Sequence, residues 1–379
     1  MVSVCRHFLG KHEKTVAFFK GLCYTKTVCE SNLTANRGGV FLNTNQPVSA
    51  QFEQLAALVG NTPLLDITLE YRGEVRHVYA KAEYYNLSGS IKDRVAYYIL
   101  KKAYETGAIH KGDYIAEATS GNTGIAFSAM GAALGNPVVI YMPDWMSTER
   151  RNLIRSYGAE VRLVSAEQGG FLGSIAMSEE FGKQNGVFLP RQFSNEDNAE
   201  AHFETTGAEI IEQLAKIGKV ADAVVAGVGT GGTVMGIGRK LRTVNLSCGL
   251  FPLEPLNSPT LSTGTKVGKH RIQGISDEFI PPIMKLEEAT GIVSIDDIDS
   301  IRMAQMLSRQ FGLGVGISSG ANLLGCLQAG DRIGGDKTIV TVFADDNKKY
   351  LSTDYCEEFP VTDDCMTSQI KLLDLKAWL

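Results

Sequence analysis

The stretch Ala223-Val224-Val225-Ala226-Gly227-Val228-Gly229-Thr230-Gly231-Gly232-Thr233 is an apolar run that breaks into glycines. Its first part reads as a buried strand beginning at Ala221, and the stretch after Thr233 is compatible with a helix. Glycines at such a junction let the backbone approach an anion closely. The next helix then offers free N–H groups and the positive end of its dipole. A tight turn would satisfy the same pattern, so the motif needs company before it means phosphate. Counted from Gly229 it is not a dinucleotide fingerprint, because the third glycine of G-x-G-x-x-G falls on Val234, and no G-x-x-x-x-G-K-[ST] match occurs. The phosphate it suits belongs to something other than NAD or ATP.

The same strand-to-helix rhythm runs outward from Phe52. Val75–Ala82, Tyr114–Ala118, Pro137–Met142, Glu160–Val164 and Thr338–Phe343 read as strands, and Thr123–Leu134 and Ser147–Tyr157 as helices. Ile91–Thr106 reads as a helix whose Val95, Ile99 and Ala103, beside Ala96 and Leu100, form a core-facing stripe. Strands alternating with helices imply an α/β fold with largely parallel sheets, divided into two α/β units that meet near Arg191–Asn198.

Two further junctions carry chemistry. Thr119-Ser120-Gly121-Asn122-Thr123-Gly124 offers consecutive N–H groups and three hydroxyls at the start of a helix, a suitable seat for a carboxylate. Helix capping would need only one Ser or Thr. Lys92 in Gly89-Ser90-Ile91-Lys92-Asp93-Arg94 sits in a first helical turn, where N–H dipoles and reduced solvation lower a lysine pKa. Taken alone, such a lysine is a solvated surface charge.

The chain as a whole sets limits. Its 379 residues, 44% hydrophobic and 21% charged, allow a large core without disulfides. A net charge of -5 leaves no basic surplus for nucleic acid, and no apolar run is long enough to span a membrane. Seven cysteines, odd in number, widely spaced and without a C-x-x-C pair, argue for reduced thiols and against a zinc site; no metal is expected. Residues 1–47 are weakly basic and read as a poorly ordered extension. Cytoplasmic location is expected, with organellar import through that extension as the alternative.

In the order Lys…SGN…GTGG, the three junctions resemble those of pyridoxal 5′-phosphate (PLP) enzymes of fold type II, the tryptophan synthase β-like fold. The resemblance is closest to the cysteine synthase (O-acetylserine sulfhydrylase) and cystathionine β-synthase group. It runs from Leu58-Val59-Gly60-Asn61-Thr62-Pro63-Leu64 to Lys349-Tyr350-Leu351-Ser352-Thr353 through Gln192-Phe193, Ile272-Gln273-Gly274-Ile275 and Gly316-Ile317-Ser318-Ser319-Gly320-Ala321. It implies a cofactor-binding domain of residues 48–84 and 197–365, a small mobile domain of residues 85–196, and a C-terminal tail at 366–379. The active site would lie between the two domains.

Lys92 would hold PLP as a Schiff base and act as acid and base at Cα. Gly229, Thr230, Gly231, Gly232 and Thr233 would hold the phosphate, Ser318 the pyridine nitrogen, and Asn122 the 3′-oxygen. Thr119, Ser120, Gly121, Thr123, Gln192 and Gly274 would meet the substrate. A hydroxyl such as that of Ser318 leaves the ring nitrogen largely unprotonated, which suits loss of a β-substituent over transamination. The implied reaction is β-replacement on O-acetylserine, serine or cysteine through an aminoacrylate, with sulfide, a thiol or water adding at Cβ. Family members are homodimers, so a homodimer is implied as well.

The chain also departs from the pattern. Where sulfhydrylases carry G-I-G-A-G-F-I-P, it has Gly274-Ile275-Ser276-Asp277-Glu278-Phe279-Ile280-Pro281. A carboxylate near Cβ repels hydrosulfide but serves as a base toward water, a thiol or an amine, so Asp277 is a catalytic candidate and Glu278 a solvent-facing one. The stretch after Thr353 is too short for the regulatory region of animal cystathionine β-synthases. Serine/threonine dehydratases commonly carry histidine after S-G-N where this chain has Thr123, which ranks dehydration lower. A non-catalytic relative that holds a partner's C-terminal peptide is the reading from another class; Lys92, Asn122, Gln192 and Ser318 speak against it.

Overall fold

The computed structural model describes residues 47–119, 121–275, 278–362 and 365–379. Two sheets form the core, their central strands apolar and buried on both faces. The larger takes β1 (Leu64–Tyr71), β2 (Glu74–Ala82), β7 (Ala223–Gly227), β8 (Gly249–Pro255), β9 (Val293–Ile295), β10 (Ile339–Phe343) and β11 (Ile370–Trp378). Their order is β11-β1-β2-β10-β7-β8-β9, antiparallel from β11 to β2 and parallel from β2 onward. The smaller sheet, β5-β4-β3-β6, is parallel throughout and uses β3 (Tyr114–Ala118), β4 (Val138–Pro143), β5 (Glu160–Val164) and β6 (Val187–Phe188). Every residue of β4 and of β10 is buried, as parallel strands covered on both faces require.

Helices cover the sheets. α1 (Val48–Ala56), α2 (Lys92–Glu105), α3 (Asn122–Leu134), α4 (Thr148–Ser156) and α5 (Gly170–Phe181) pack about the small sheet. The α2 stripe read from the sequence, Val95, Ala96, Ile99, Leu100 and Ala103, is buried there. The short α6 (Asp197–Ala201), α7 (Gly207–Lys216), α8 (Gly232–Leu241), the short α9 (Thr260–Thr263), α10 (Asp297–Phe311) and α11 (Ile317–Ile333) complete the set. Both sheets belong to the same compact unit. The segment 366–379, set apart above as a tail, ends in edge strand β11, which pairs along the whole of β1.

This is the α/β, largely parallel fold expected, with the cleft between the two sheets. The extension read over residues 1–47 lies, Pro47 apart, outside the described residues. Among the described residues no helix is long and apolar enough to cross a membrane, and no group of His, Cys, Asp and Glu could hold a metal ion.

Candidate active site

Lys92 is the first residue of α2, and the helix start is pinned to the end of β10 by the Ile91 N–H to Ala344 carbonyl bond at 2.9 Å. Next to it, Asp93 turns back and accepts from the Ser88 N–H (2.8 Å) and hydroxyl (2.6 Å), which fixes the loop before the helix. Burial pushes the Asp93 carboxyl up to about 6 against those hydrogen bonds.

Arg94 anchors the other side. Its guanidinium donates to Glu83 (2.6 and 2.9 Å) and to both Glu209 oxygens (2.6 and 2.8 Å), and Lys81 pairs with Glu209 at 2.6 Å. Burial opposes the charge on Glu209, yet the hydrogen bond and charge of Arg94, joined by Lys81, hold its carboxyl down at about 2. Three buried charges and the half-buried Glu209 thus clamp α2, α7 and the end of β2 into one frame beneath Lys92.

The Gly229–Thr233 loop follows β7 and opens α8. Gly231 adopts φ +85°, and a Cβ there would lie 2.9 Å from that of Met284. A Cβ on Gly229 would lie 2.6 Å from the Gly274 carbonyl oxygen, and one on Gly232 only 2.1 Å from Asn198 Oδ1. Thr230 Oγ1 accepts from the Gly232 N–H at 3.3 Å and from Asn198 Nδ2 at 2.9 Å. Behind the loop, His202 Nε2 lies 3.3 Å from the Thr233 hydroxyl. Burial holds the His202 imidazole well below its usual pKa, with the Lys92 and Arg94 charges acting the same way, so the ring is neutral.

The Thr119–Thr123 loop follows β3 and opens α3. Ser120 lies outside the described residues. The Thr123 hydroxyl donates to Gln192 Oε1 at 2.6 Å, and Gln192 Nε2 donates to the Ala118 carbonyl at 2.7 Å. Asn122 Nδ2 donates to Asp345 at 2.8 Å, while its Oδ1 is buried without a partner. Arg150 stacks over the Tyr350 ring at 5.4 Å, and its Nε would stand 3.0 Å from a Cβ on Gly121.

These parts share a cleft with a cavity of about 530 Å³, lined by Lys92, Thr119, Gly121, Asn122, Thr123, Gln192, Gly229, Thr230 and Gly274. A narrower recess at its base adds Gly231, Thr233 and Ser318. Asp277 lies outside the described residues. The remaining predicted site residues are therefore brought together, Gly232 as the first residue of α8 behind the cradle. Sequence reasoning missed Asn198, His202, Asp345 and Glu117, which support the loops from behind. Only Glu117 had left a trace, a carboxylate inside an apolar strand.

An amine, a glycine cradle at a helix start, a recessed hydroxyl and an amide oxygen with no partner form a donor set that fits PLP. The chain belongs to the pyridoxal-phosphate dependent enzymes, the family whose model matches residues 55–345. It is 38% identical over 301 residues to a cysteine synthase of Staphylococcus aureus, covering 79% of this chain and 96% of that one. A probable cysteine synthase of Bacillus subtilis is 40% identical over 300 residues, with 79% and 96% covered. Among solved structures, a hydrogen sulfide-producing enzyme of Fusobacterium nucleatum is 57% identical, with a TM-score of 0.85 over 87% of this chain and 99% of that one. A variant of that enzyme has been solved with an α-aminoacrylate intermediate. The expected cofactor, fold and reaction class, PLP-dependent β-replacement, are borne out.

Proposed function

We infer that the enzyme consumes L-cysteine, releasing sulfide and placing water or a second thiol at Cβ, in preference to building cysteine from O-acetylserine and sulfide. When water adds, each L-cysteine gives one L-serine and one hydrogen sulfide. One observation carries this reading: identity to the sulfide-producing enzyme is 57%, against 38% and 40% to the two cysteine synthases. The acidic Ser276-Asp277-Glu278 loop, in place of small neutral residues, points the same way.

When bound, the cofactor supplies the electron sink that acidifies the Cα proton and lets the β-substituent leave. The Lys92 amine holds it and moves the proton at Cα. Gly229–Thr233 hold its phosphate, Ser318 its ring nitrogen and Asn122 its ring oxygen. Thr119, Ser120, Gly121, Thr123, Gln192 and Gly274 seat the substrate, its carboxylate against the Thr119–Thr123 loop. Asp277 takes a proton from water or thiol.

Residues 85–196 move against 48–84 and 197–365 to exclude water, and the enzyme acts as a cytoplasmic homodimer. Sedimentation would test the last point.

The test of the function is incubation with L-cysteine alone. Sulfide should appear with an equal amount of serine, or with a thioether when a thiol is added. Faster cysteine formation from O-acetylserine and sulfide would overturn the reading. Replacing Asp277 with Asn should change the ratio of water to thiol products, and an unchanged ratio would remove Asp277 from the scheme.

A further inference from the structure

Glu117 is an acid on an interior parallel strand, with Ile115, Ala116 and Ala118 buried beside it. A carboxylate this deep needs a bonded cation or a full set of donors. Its two oxygens accept backbone groups: the N–H of Ala118 at 2.9 Å, the N–H of Gln192 at 3.1 Å and, more weakly, the N–H of Arg191. The nearby Arg191 guanidinium instead donates to Glu179, at 2.8 and 2.9 Å.

The Ala118 and Gln192 N–H groups lead to the cleft. Gln192 returns its side chain to the Ala118 carbonyl and accepts the Thr123 hydroxyl. Glu117 therefore lies two residues before Thr119, behind the carboxylate loop, and fixes the backbone of the glutamine that closes it.

We propose that Glu117 is the positioning residue of this seat: its carboxyl oxygens hold the Gln192 N–H and, through Gln192, Thr123, and its ionisation sets a second negative charge behind the loop and weakens substrate binding. This rests on the reading that the loop takes the α-carboxylate. The charged groups around it are few. α5 contributes Glu179, and the turn after β6 contributes Arg191, already paired with it. β4 contributes Tyr141, whose hydroxyl accepts from Arg162 of β5 at 2.6 Å, and β3 itself Tyr114. β6 and α3 carry no ionisable side chain. Burial pushes the Glu117 carboxyl up to about 8; the Gln192, Ala118 and Arg191 N–H groups oppose this, and the Glu179 charge adds to it.

The experiment measures the dissociation constant of propanoate, a carboxylate with no amine, from the absorbance of the holoenzyme between about pH 6 and pH 9.5. KM and kcat for L-cysteine are followed alongside. For the wild type, the constant and KM should rise about three- to tenfold through about pH 8 while kcat is little changed. Glu117→Gln should bind propanoate with a flat profile. Glu179→Gln, a change on the surface, should move the rise to lower pH by removing a negative neighbour and freeing Arg191, and it decides the matter if Glu117→Gln fails to fold. A rise that persists unmoved in both variants, or a wild type that binds propanoate equally at all pH, overturns the proposal. A wild type that does not bind propanoate at all overturns instead the reading of the loop as the carboxylate seat.

Discussion

Two strand-to-helix turns share the cleft, and they are made in different ways. Gly229–Thr233 is built by exclusion: side chains are missing where Gly274, Asn198 and Met284 leave no room for them. Thr119–Thr123 is built by exchange, with hydroxyl, amide and carboxylate groups bonded in a chain from Glu117 through Gln192 to Thr123 and from Asn122 to Asp345. A seat fixed by packing suits a group that stays bound through every turnover. A seat held by hydrogen bonds can release and re-form around a ligand that comes and goes.

Lys92 stands between the two and gives the largest expected effect. Lys92→Ala should lower kcat by at least about a thousandfold while both turns keep their shape. A folded variant with near-normal turnover would remove the lysine from the chemistry. Gly232→Ala strikes the packed turn alone. Its Cβ meets Asn198 Oδ1 at 2.1 Å, so a loss of about 2–3 kcal/mol in denaturant melts and most of the bound cofactor is expected. If cofactor content were unchanged, exclusion would not be what shapes that turn.

Asn198 joins the pair, donating to the Gln192 carbonyl at 2.8 Å and to Thr230 Oγ1 at 2.9 Å. Asn198→Ala should weaken cofactor and substrate together, each by about tenfold, the equivalent of about 1.4 kcal/mol. An effect on one ligand only would show the turns to be independent.

Much of this frame was legible in the sequence. Tyr114–Ala118 and Glu160–Val164 are strands over the very residues read, and α2 begins one residue after the helix expected from Ile91. Tyr114–Ala118 announces itself because all but its first residue is buried, whereas Glu160–Val164 alternates charged and apolar residues and buries only Val164 fully. The supports were not legible. Asn122 and Asp345 are bonded across 223 residues, and nothing local marks either as the other's partner. β11 does alternate at its start, with Ile370 and Leu372 buried and Lys371 exposed, but the strand it pairs with lies near the other end of the chain. Glu117 was visible as a residue and invisible as a device, since its meaning depends on where Gln192 returns.

The order of strands in the large sheet also bears on how the protein is made. β2 lies beside β10, Val78 against Ile339, with most of the chain between them, whereas the small sheet is complete within residues 114–188. During synthesis the small sheet can close early, while the β1–β2 hairpin waits with both edges bare until β10 and then β11 leave the ribosome. That interval, with an apolar strand edge open to pairing with other chains, is when a nascent copy most needs a chaperone.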